Sequence, residues 1–345
     1  MFSTALSTMA ILPSILRNPR TPRAISRSVV PTHGHSFFRV AIAAAAVVTT
    51  LVAPNILLGH GFEGDRFFPP TIQTDDPFGT DELSLPMVTM FNNPAADGTP
   101  KTRETDISTE FDKEIFPGFA LGISDAFTVL NPKGAPSVTG WDNISLSAKY
   151  QIWEVPAHEF IFSAGVLWEI GGSGRYSMVN NYSTVSPTLY FGKGFGDLPD
   201  SANFLKPFAI TGTLSQDIPV RSLNPNVLEV GIALEYSLLY LEQHVKDTGM
   251  ARPFRDMIPL VEIAIQTPEN RGGGPTTGTI NPGVLWEGRY CQIGAEAVIP
   301  MNRQTGPNIG VVFNVQIYID DIFPQIFGHP LFGGGSKNFT TGPNP

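Results

Sequence analysis

Three shortages narrow the class of protein that this sequence can encode. It contains one cysteine, Cys291, so no intramolecular disulfide and no multi-cysteine metal site can form. Charged residues make up only 15% of the chain, against roughly 25% in soluble proteins, and acids outnumber bases by 31 to 22. This balance argues against a disordered chain and against a nucleic-acid-binding protein. No stretch beyond residue 59 approaches 18 continuous apolar residues, which argues against a transmembrane helix there.

The first 59 residues differ in charge from the rest of the chain. They contain five arginines and no acidic residue, so all 31 acids lie beyond them. Residues 40–52 are uncharged and mostly apolar, a run too short for a spanning helix of about 20 residues but suited to a signal-peptide core. Pro54 then breaks the helix, and cleavage is expected near Gly59. We therefore predict that residues 1–59 are a targeting segment that is removed on export.

The basic part of this segment, about 30 residues, is long for a signal peptide. Either translation begins further along the chain, which we favour, or the segment is an organelle-type presequence. An exported chain without an apolar helix is then either soluble or embedded in the outer membrane of a Gram-negative cell as a β-barrel.

From about residue 85 onward, segments of some ten residues alternate between apolar and polar side chains. Successive side chains of a strand point to opposite faces, so each segment has one apolar and one wet surface. In residues 143–152 the apolar side chains are Ile144, Leu146, Ala148, Tyr150 and Ile152. The same pattern recurs in residues 227–241 and 308–319.

About twelve such segments are separated by turns rich in proline, glycine and asparagine. Most exceed the roughly 5–6 residues of soluble strands and match the roughly 9–11 that a tilted strand needs to cross a bilayer. The predicted fold is therefore all-β, a transmembrane antiparallel up-and-down β-barrel of about twelve strands over residues 85–323. Residues 60–84 are predicted to be an irregular plug or periplasmic rim, and residues 324–345 a C-terminal tail rich in glycine and proline. The predicted strands are 85–92, 103–115, 119–130, 142–153, 159–170, 184–194, 205–217, 227–241, 257–266, 278–288, 290–300 and 307–319.

The charged residues of these segments lie mainly on the polar faces, which we expect to line the lumen. A charge facing the bilayer midplane costs about 2–4 kcal/mol for Lys or Arg and less for an acid, so a row of carboxylates against lipid is untenable. Five of them alternate along residues 103–115 and should create a negative potential inside the barrel. The predicted lumen and selectivity residues are Glu104, Asp106, Glu110, Asp112, Glu114, Lys149, Glu169, Glu229, Glu235, Glu262, Glu287, Arg289 and Glu296.

The residue pattern leaves two alternatives open, one about the fold and one about the lumen. The alternation also fits a soluble sandwich or a lipocalin-like barrel, although soluble strands would be shorter and less aromatic on their apolar face. The carboxylates fit either a cation-preferring conduit or a water-filled lumen without selectivity.

Motifs that would support catalysis are weak. The glycine-rich run at residues 192–196 lacks the spacing of a phosphate-binding loop. A hydrolase would need a base beside an activated nucleophile, and the candidate bases His158 and His244 have no accompanying GxSxG motif. We predict no catalytic residue, no cofactor and no metal site.

Short motifs rich in aromatic residues, glycine, proline and aspartate are spread over residues 60–332. They are His60-Gly61-Phe62, Arg66-Phe67-Phe68-Pro69, Asp75-Asp76-Pro77-Phe78, Asp81-Glu82-Leu83-Ser84-Leu85, Trp141-Asp142-Asn143 with Lys149-Tyr150, Ser186-Pro187 running to residues 192–199, Asp320-Asp321-Ile322-Phe323-Pro324 and Pro330-Leu331-Phe332. Together they resemble a bacterial family of outer-membrane proteins related to the meta-pathway of phenol degradation. The resemblance implies an outer-membrane β-barrel that handles aromatic or other hydrophobic compounds.

One feature departs from that family. Its members are expected to end near an aromatic residue that the barrel-assembly machinery recognises, and Phe332 fits that place. Residues 333–345 follow it here, so the assembly signal is expected at Phe332 or internally at Tyr318 or Phe323.

The predicted function is a passive pore or transporter for small hydrophobic, aromatic or cationic solutes. A non-transporting structural or ligand-binding barrel is the main alternative, and an outer-membrane hydrolase a distant one. The expected partners are outer-membrane lipid, the barrel-assembly machinery and a small solute, with no nucleic acid.

Overall fold

The computed structural model describes residues 61–95, 100–220 and 223–333. The predicted targeting segment and the end of the predicted tail lie outside these residues. Strands dominate the described ranges, and the helical turns between them are short. None of the helices in these ranges has both the length and the apolarity that crossing a membrane requires.

Twelve long antiparallel strands close into a barrel, which confirms the predicted all-β fold. Strand β15 pairs with β3, for example Val312 with Thr89, and this pairing joins the last barrel strand to the first. The barrel strands are β3 (Glu82–Asn93), β4 (Thr102–Phe116), β5 (Phe119–Pro132), β7 (Ser145–Val155), β8 (Phe160–Glu169), β9 (Thr184–Gly194), β10 (Phe208–Pro219), β11 (Val227–Tyr236), β12 (Met257–Pro268), β13 (Thr277–Glu287), β14 (Cys291–Pro300) and β15 (Gly310–Ile317). The hairpin of β1 (Phe62–Glu63) and β2 (Arg66–Phe67) precedes them, and the short strand β6 (Val138–Trp141) extends the wall beside β5.

The predicted strand 227–241 ends five residues early, because residues 238–245 form a short helical turn after Tyr236. The predicted strand 142–153 begins three residues late. Strand β6 ends at Trp141 and β7 begins at Ser145, because residues 142–144 leave the ladder. Residues of the loop 170–183 supply the missing hydrogen bonds: the Arg175 N–H donates to the Trp141 carbonyl at 2.9 Å, and the Ile144 N–H to the Ser173 hydroxyl at 2.8 Å. A loop distant in sequence thus completes the wall.

Because the number of strands is even, the first barrel strand begins and the last barrel strand ends at the same rim. The rim where β3 begins and β15 ends is called here the termini rim, and the opposite one the loop rim. Three of the termini-rim connections are short turns, at residues 117–118, 156–159 and 288–290. Transmembrane β-barrels combine short turns at one rim with longer loops at the other; this pattern is incomplete here, because the loops 195–207 and 237–256 on the termini rim are long.

The packed core lies inside the barrel, around the segment of residues 61–81. This segment is called here the N-terminal segment. Its Ile72 is 1% exposed and packs among inward-facing side chains of five strands, while Phe68 and Phe78 pack against Ile161 and Ala209. Gly294 leaves room for it, because a Cβ there would lie 2.7 Å from the Ile72 side chain. The Ile72 cluster consists of Ile72, Met87, Phe91, Ile258, Leu260, Leu285, Val298 and Val312.

The outer surface of the strands is apolar. Large aliphatic and aromatic side chains alternate with the inward-facing residues and are well exposed. Each strand therefore shows the two faces that its sequence pattern predicts. Examples are Ile107, Leu121, Ile123, Leu146, Val166, Leu189, Leu214, Ile232, Leu234, Val261, Val284, Ile293 and Phe313.

Candidate functional site: the lumen and the N-terminal segment

The structure places all but one of the predicted lumen residues on the inner side of the wall. Their strand positions alternate with the exposed apolar residues, and several are almost completely buried, with Glu262 at 0% exposure. Arg289 is the exception: it lies in the turn 288–290, with its guanidinium 4.9 Å from the centre of the Tyr290 ring. The part that these residues play in selectivity remains a prediction. The inward-facing set is Glu104, Asp106, Glu110, Asp112, Glu114, Lys149, Glu169, Glu229, Glu235, Glu262, Glu287 and Glu296.

Many of these carboxylates hydrogen-bond to polar side chains on neighbouring parts of the wall. Burying a carboxylate is costly unless hydrogen bonds replace its hydration, and these donors supply them. They therefore have a structural role in addition to any effect on solutes. The pairs are Asn93 with Glu104 (2.5 Å), Thr128 with Asp106 (2.5 Å), Asn143 with Glu169 (2.6 Å), Thr211 with Glu235 (3.1 Å), Gln266 with Glu229 (2.6 Å) and Tyr318 with Glu287 (2.6 Å).

Glu262 holds the N-terminal segment by its backbone. The carboxylate accepts hydrogen bonds from the N–H groups of Gln73 at 2.7 Å and Thr74 at 2.9 Å. Gln292 of β14 donates to the carbonyl of Pro70 at 2.7 Å, and the Ser163 hydroxyl of β8 donates to the carbonyl of Pro77. An irregular segment needs such partners because its backbone polar groups have no ladder of their own.

Lys149 connects β7 to two acidic residues of the N-terminal segment. Its Nζ lies 2.7 Å from Asp75 Oδ2 and 3.8 Å from Asp76 Oδ1, and it donates to the Asp76 carbonyl at 3.0 Å. The same ammonium is 4.8 Å from the centre of the Tyr190 ring. Lys149 therefore fixes the segment as well as contributing a positive charge to an otherwise acidic lumen.

Arg66 fixes the other end of the segment at the termini rim. Its Nε lies 3.3 Å from Glu159 Oε2, it donates to the Pro207 carbonyl at 3.0 Å, and its guanidinium is 3.8 Å from the centre of the Tyr240 ring. The Tyr240 hydroxyl donates to Glu159 Oε1 at 2.9 Å. Three connections, residues 156–159, 195–207 and 237–256, thus meet around one buried arginine.

The surroundings of Tyr240 favour its protonated form. Burial of the hydroxyl, and next the negative charge of Glu159 that it faces, raise the pKa of Tyr240 above its ordinary value of 10.0. The hydroxyl therefore stays a hydrogen-bond donor to Glu159 throughout the neutral range.

An acidic space remains between the N-terminal segment and strands β3, β4 and β15. Its volume is about 20 Å³, room for about one water molecule, and the carboxylates of Asp75, Glu82, Glu110 and Asp112 line it. No group of three or more histidine, cysteine or acidic residues with the geometry to hold a metal ion is found in the described ranges. The space is a small, negatively charged pocket between the N-terminal segment and the wall.

Arg66, Asp75, Asp76, Glu159 and Tyr240 were not among the predicted site residues. The first three were noted only as parts of family-like motifs, and their contacts span up to 141 positions in sequence. The sequence contains one signal for these residues. Charged residues stand within an irregular apolar segment, and such charges need partners when they are buried.

The candidate bases of a hydrolase do not form a catalytic arrangement. His158 is 65% exposed and its Nδ1 lies 3.1 Å from Asp197, which Lys193 also contacts. The His244 ring stacks on Tyr240, with 4.6 Å between the ring centres. Neither contact provides the activated nucleophile that acyl transfer needs.

The described part of the C-terminal tail lies against the termini rim. The N–H of Phe332 donates to the Ile115 carbonyl at 2.9 Å, and that of Gly328 to Asp81 at 2.9 Å. Of the three candidate assembly-signal aromatics, Tyr318 is buried, whereas Phe323 and Phe332 are exposed.

Comparison with known proteins leaves the family open. No protein-family model matches the chain, and no curated protein does so. Solved structures with a similar fold include the KdgM porin (TM-score 0.39, 11% identity, covering 68% of this chain and 98% of that one). Another is an outer membrane channel from Pseudomonas putida F1 (TM-score 0.47, 12% identity, covering 72% and 99%). A third is the translocator domain of the autotransporter NalP from Neisseria meningitidis (TM-score 0.38, 10% identity, covering 81% and 95%). These likenesses are too distant to bear on the function of this chain.

Proposed function

We propose that this protein is an outer-membrane channel whose lumen is closed in this state by its N-terminal segment. The main support for this proposal is that the two faces of the barrel wall differ: the long strands place apolar side chains outside and carboxylates inside. A soluble barrel would expose the same apolar band to water, at a cost of roughly 25 cal/mol per Å². A hydrocarbon environment removes that cost.

Aromatic side chains near the rims support this location. At the termini rim, Phe116 is 5.8 Å from Phe332 and Trp153 is 5.5 Å from Phe162, measured between ring centres. Near the loop-rim end of the wall, Trp141 lies 5.5 Å from Phe127. Exposed aromatic residues at both ends of an apolar wall are typical of the interface between lipid and water.

The connections favour one orientation. Outer-membrane barrels have short turns on the periplasmic side and longer loops outside. The shortest connections lie on the termini rim, which we therefore assign to the periplasmic side. The loop rim then faces the outer leaflet.

The acidic space beside Asp75 makes small cationic solutes the best-supported class. A lumen rich in carboxylates concentrates cations and repels anions. The N-terminal segment packs inside the barrel, so in this proposal it must shift for a solute to pass. The family-like motifs instead imply aromatic or other hydrophobic solutes.

Planar-bilayer recording tests the channel without altering its charge. Ile72→Ala should weaken the packing of the N-terminal segment and raise the conductance, and a salt gradient should give a reversal potential that favours cations. Ile107→Ala removes the same atoms from the outer face and should leave the conductance at the wild-type value. A preference for anions would contradict the proposed solute class.

A non-transporting structural barrel is the second candidate, because the N-terminal segment packs so fully into the lumen. The same recordings separate the two functions. Both proteins are first purified from outer membranes and checked on gels for the heat-modifiable migration of a folded barrel. If neither the wild type nor Ile72→Ala then conducts, the structural role is correct and the channel is excluded.

A further inference from the structure

The loop rim carries a group of basic residues that the channel proposal does not use. Lys101 and Arg103 stand at the start of β4, Lys133 follows the end of β5, and Arg175 lies in the loop 170–183. The Lys133 N–H donates to the Lys101 carbonyl at 2.9 Å, and Arg103 pairs with Asn131 across the ladder. Lys101, Arg103 and Lys133 therefore lie together on adjacent parts of the wall, and Arg175 packs against Gly140 of β6, on the face opposite Trp141. The four residues are called here the basic patch.

No carboxylate within the described ranges neutralises the basic patch. Residues 100–103, 131–141 and 170–183 contain these four bases and no acid. None of the four forms an ion pair within the described part of the chain. Arg103 donates to the sulfur of Met90 at 3.6 Å, and Arg175 donates to the carbonyl of Thr139.

The termini rim provides the contrast. Several of its basic residues are matched with acids: Lys193 with Asp197 at 3.1 Å, and Lys206 with Asp200 at 2.9 Å. The Arg252 guanidinium lies 3.1 Å from Asp256. The basic patch differs from these three residues in having no acid paired with it in the described ranges.

An apolar surface adjoins the basic patch on the side that faces lipid. Ile107, Phe127 and Trp141 are directly opposite one another on three adjacent strands, and the rings of Phe127 and Trp141 are in edge contact. Trp141 is 55% exposed. Basic groups next to an exposed aromatic and aliphatic surface match a phosphorylated headgroup followed by acyl chains.

We propose that the basic patch binds the phosphate groups of a membrane lipid, with the acyl chains lying along Ile107, Phe127 and Trp141. Arginine and lysine form charge-assisted hydrogen bonds with phosphate oxygens, and these bonds are shorter and stronger than neutral ones. This inference rests on the proposed membrane location and orientation. It is independent of whether the lumen conducts.

The test uses the full barrel in detergent and titrates it with lipid A, a lipid with two phosphate groups, counting bound lipid by native mass spectrometry. The wild type should retain lipid A and release its dephosphorylated form. The variant Lys101→Gln/Arg103→Gln/Lys133→Gln should bind lipid A about tenfold more weakly, because it loses charge-assisted bonds. The matched control Lys246→Gln/Arg252→Gln/Arg289→Gln removes the same charge from the termini rim and should bind as the wild type does.

The outcomes separate the sources of the phosphate. Inorganic phosphate at millimolar concentration should not displace lipid A, since the apolar surface contributes to binding; full displacement would show a simple anion site and overturn the lipid assignment. Equal retention of the phosphorylated and dephosphorylated lipids by the wild type would overturn the proposal without any variant. Loss of lipid binding with normal conductance would leave the proposed channel intact.

Discussion

The Nζ atom of Lys149 lies 2.7 Å from the Asp75 carboxylate, and this ion pair joins the wall of the barrel to the segment inside it. The two residues are 74 positions apart and belong to structures of different kinds, a strand and an irregular segment. Because Lys149 also contacts Asp76, one cation offsets two buried acids. The stability of the closed lumen should depend on this arrangement.

Replacing Lys149 by glutamine should destabilise the barrel by about 3 kcal/mol, because it leaves buried acids without their counter-charge. Adding Asp75→Asn should restore part of the loss, since the remaining acid then has fewer like charges near it. Urea unfolding of the detergent-solubilised protein, followed by tryptophan fluorescence, measures both. Equal stabilities of the single variant and the wild type would show that the pair contributes nothing.

Glu262 should stabilise the N-terminal segment through the two backbone N–H groups that it binds. Glu262→Ala leaves the N–H groups of Gln73 and Thr74 without their acceptor and should cost about 3 kcal/mol, as hydrogen bonds to charged groups contribute roughly 1.5–3 kcal/mol each. Glu262→Gln keeps one carbonyl acceptor and should cost about half as much. The check is the unfolding midpoint together with the rate of chymotrypsin cleavage at Phe67. Unchanged cleavage in both variants would contradict this anchoring role.

The Tyr240 hydroxyl should make the anchoring of Arg66 sensitive to alkaline pH. Burial and the facing Glu159 raise its pKa above 10.0, so the folded state favours the protonated form. That stabilisation is complete below the unfolded value of about 10 and declines as the pH rises above it. Chymotrypsin cleavage at Phe67 should therefore accelerate above pH 10 in the wild type.

The control for this pH effect is Tyr240→Phe, which lacks the titrating hydroxyl. It should cleave somewhat faster at neutral pH, because it loses the bond to Glu159, and should show a flatter dependence above pH 10. Identical alkaline profiles for the two proteins would rule out Tyr240 as the group responsible.

Asp125 faces outward near the middle of β5, where the proposed lipid contact would penalise it. The residue alternates with the inward-facing Ala126, whose N–H donates to the Asp125 carboxylate at 2.7 Å. Asp125→Leu should stabilise the barrel in lipid vesicles by about 1 kcal/mol, since acids cost less than the 2–4 kcal/mol of Lys or Arg on this surface. The same change at the inward-facing Asp112 should destabilise it. A loss of stability in Asp125→Leu would argue against a lipid-facing wall.

The sequence by itself determined the strands and their two faces. Alternation of period two depends only on the neighbours of each residue, so Ile144 to Ile152 indicated an outer and an inner face before any contact was known. The twelve strands and the inward placing of the carboxylates follow from this pattern and from local turn residues.

Only the tertiary structure decided what fills the barrel and which charges pair. The contacts of Arg66 with Glu159, of Lys149 with Asp75 and of Glu262 with Gln73 join residues far apart in the chain, and no local pattern encodes which distant partner a buried charge meets. The break between β6 and β7 has the same origin, because the loop 170–183 replaces the missing ladder bonds. Closure of the sheet is what brings these groups into one enclosed volume, where each charge must find a partner.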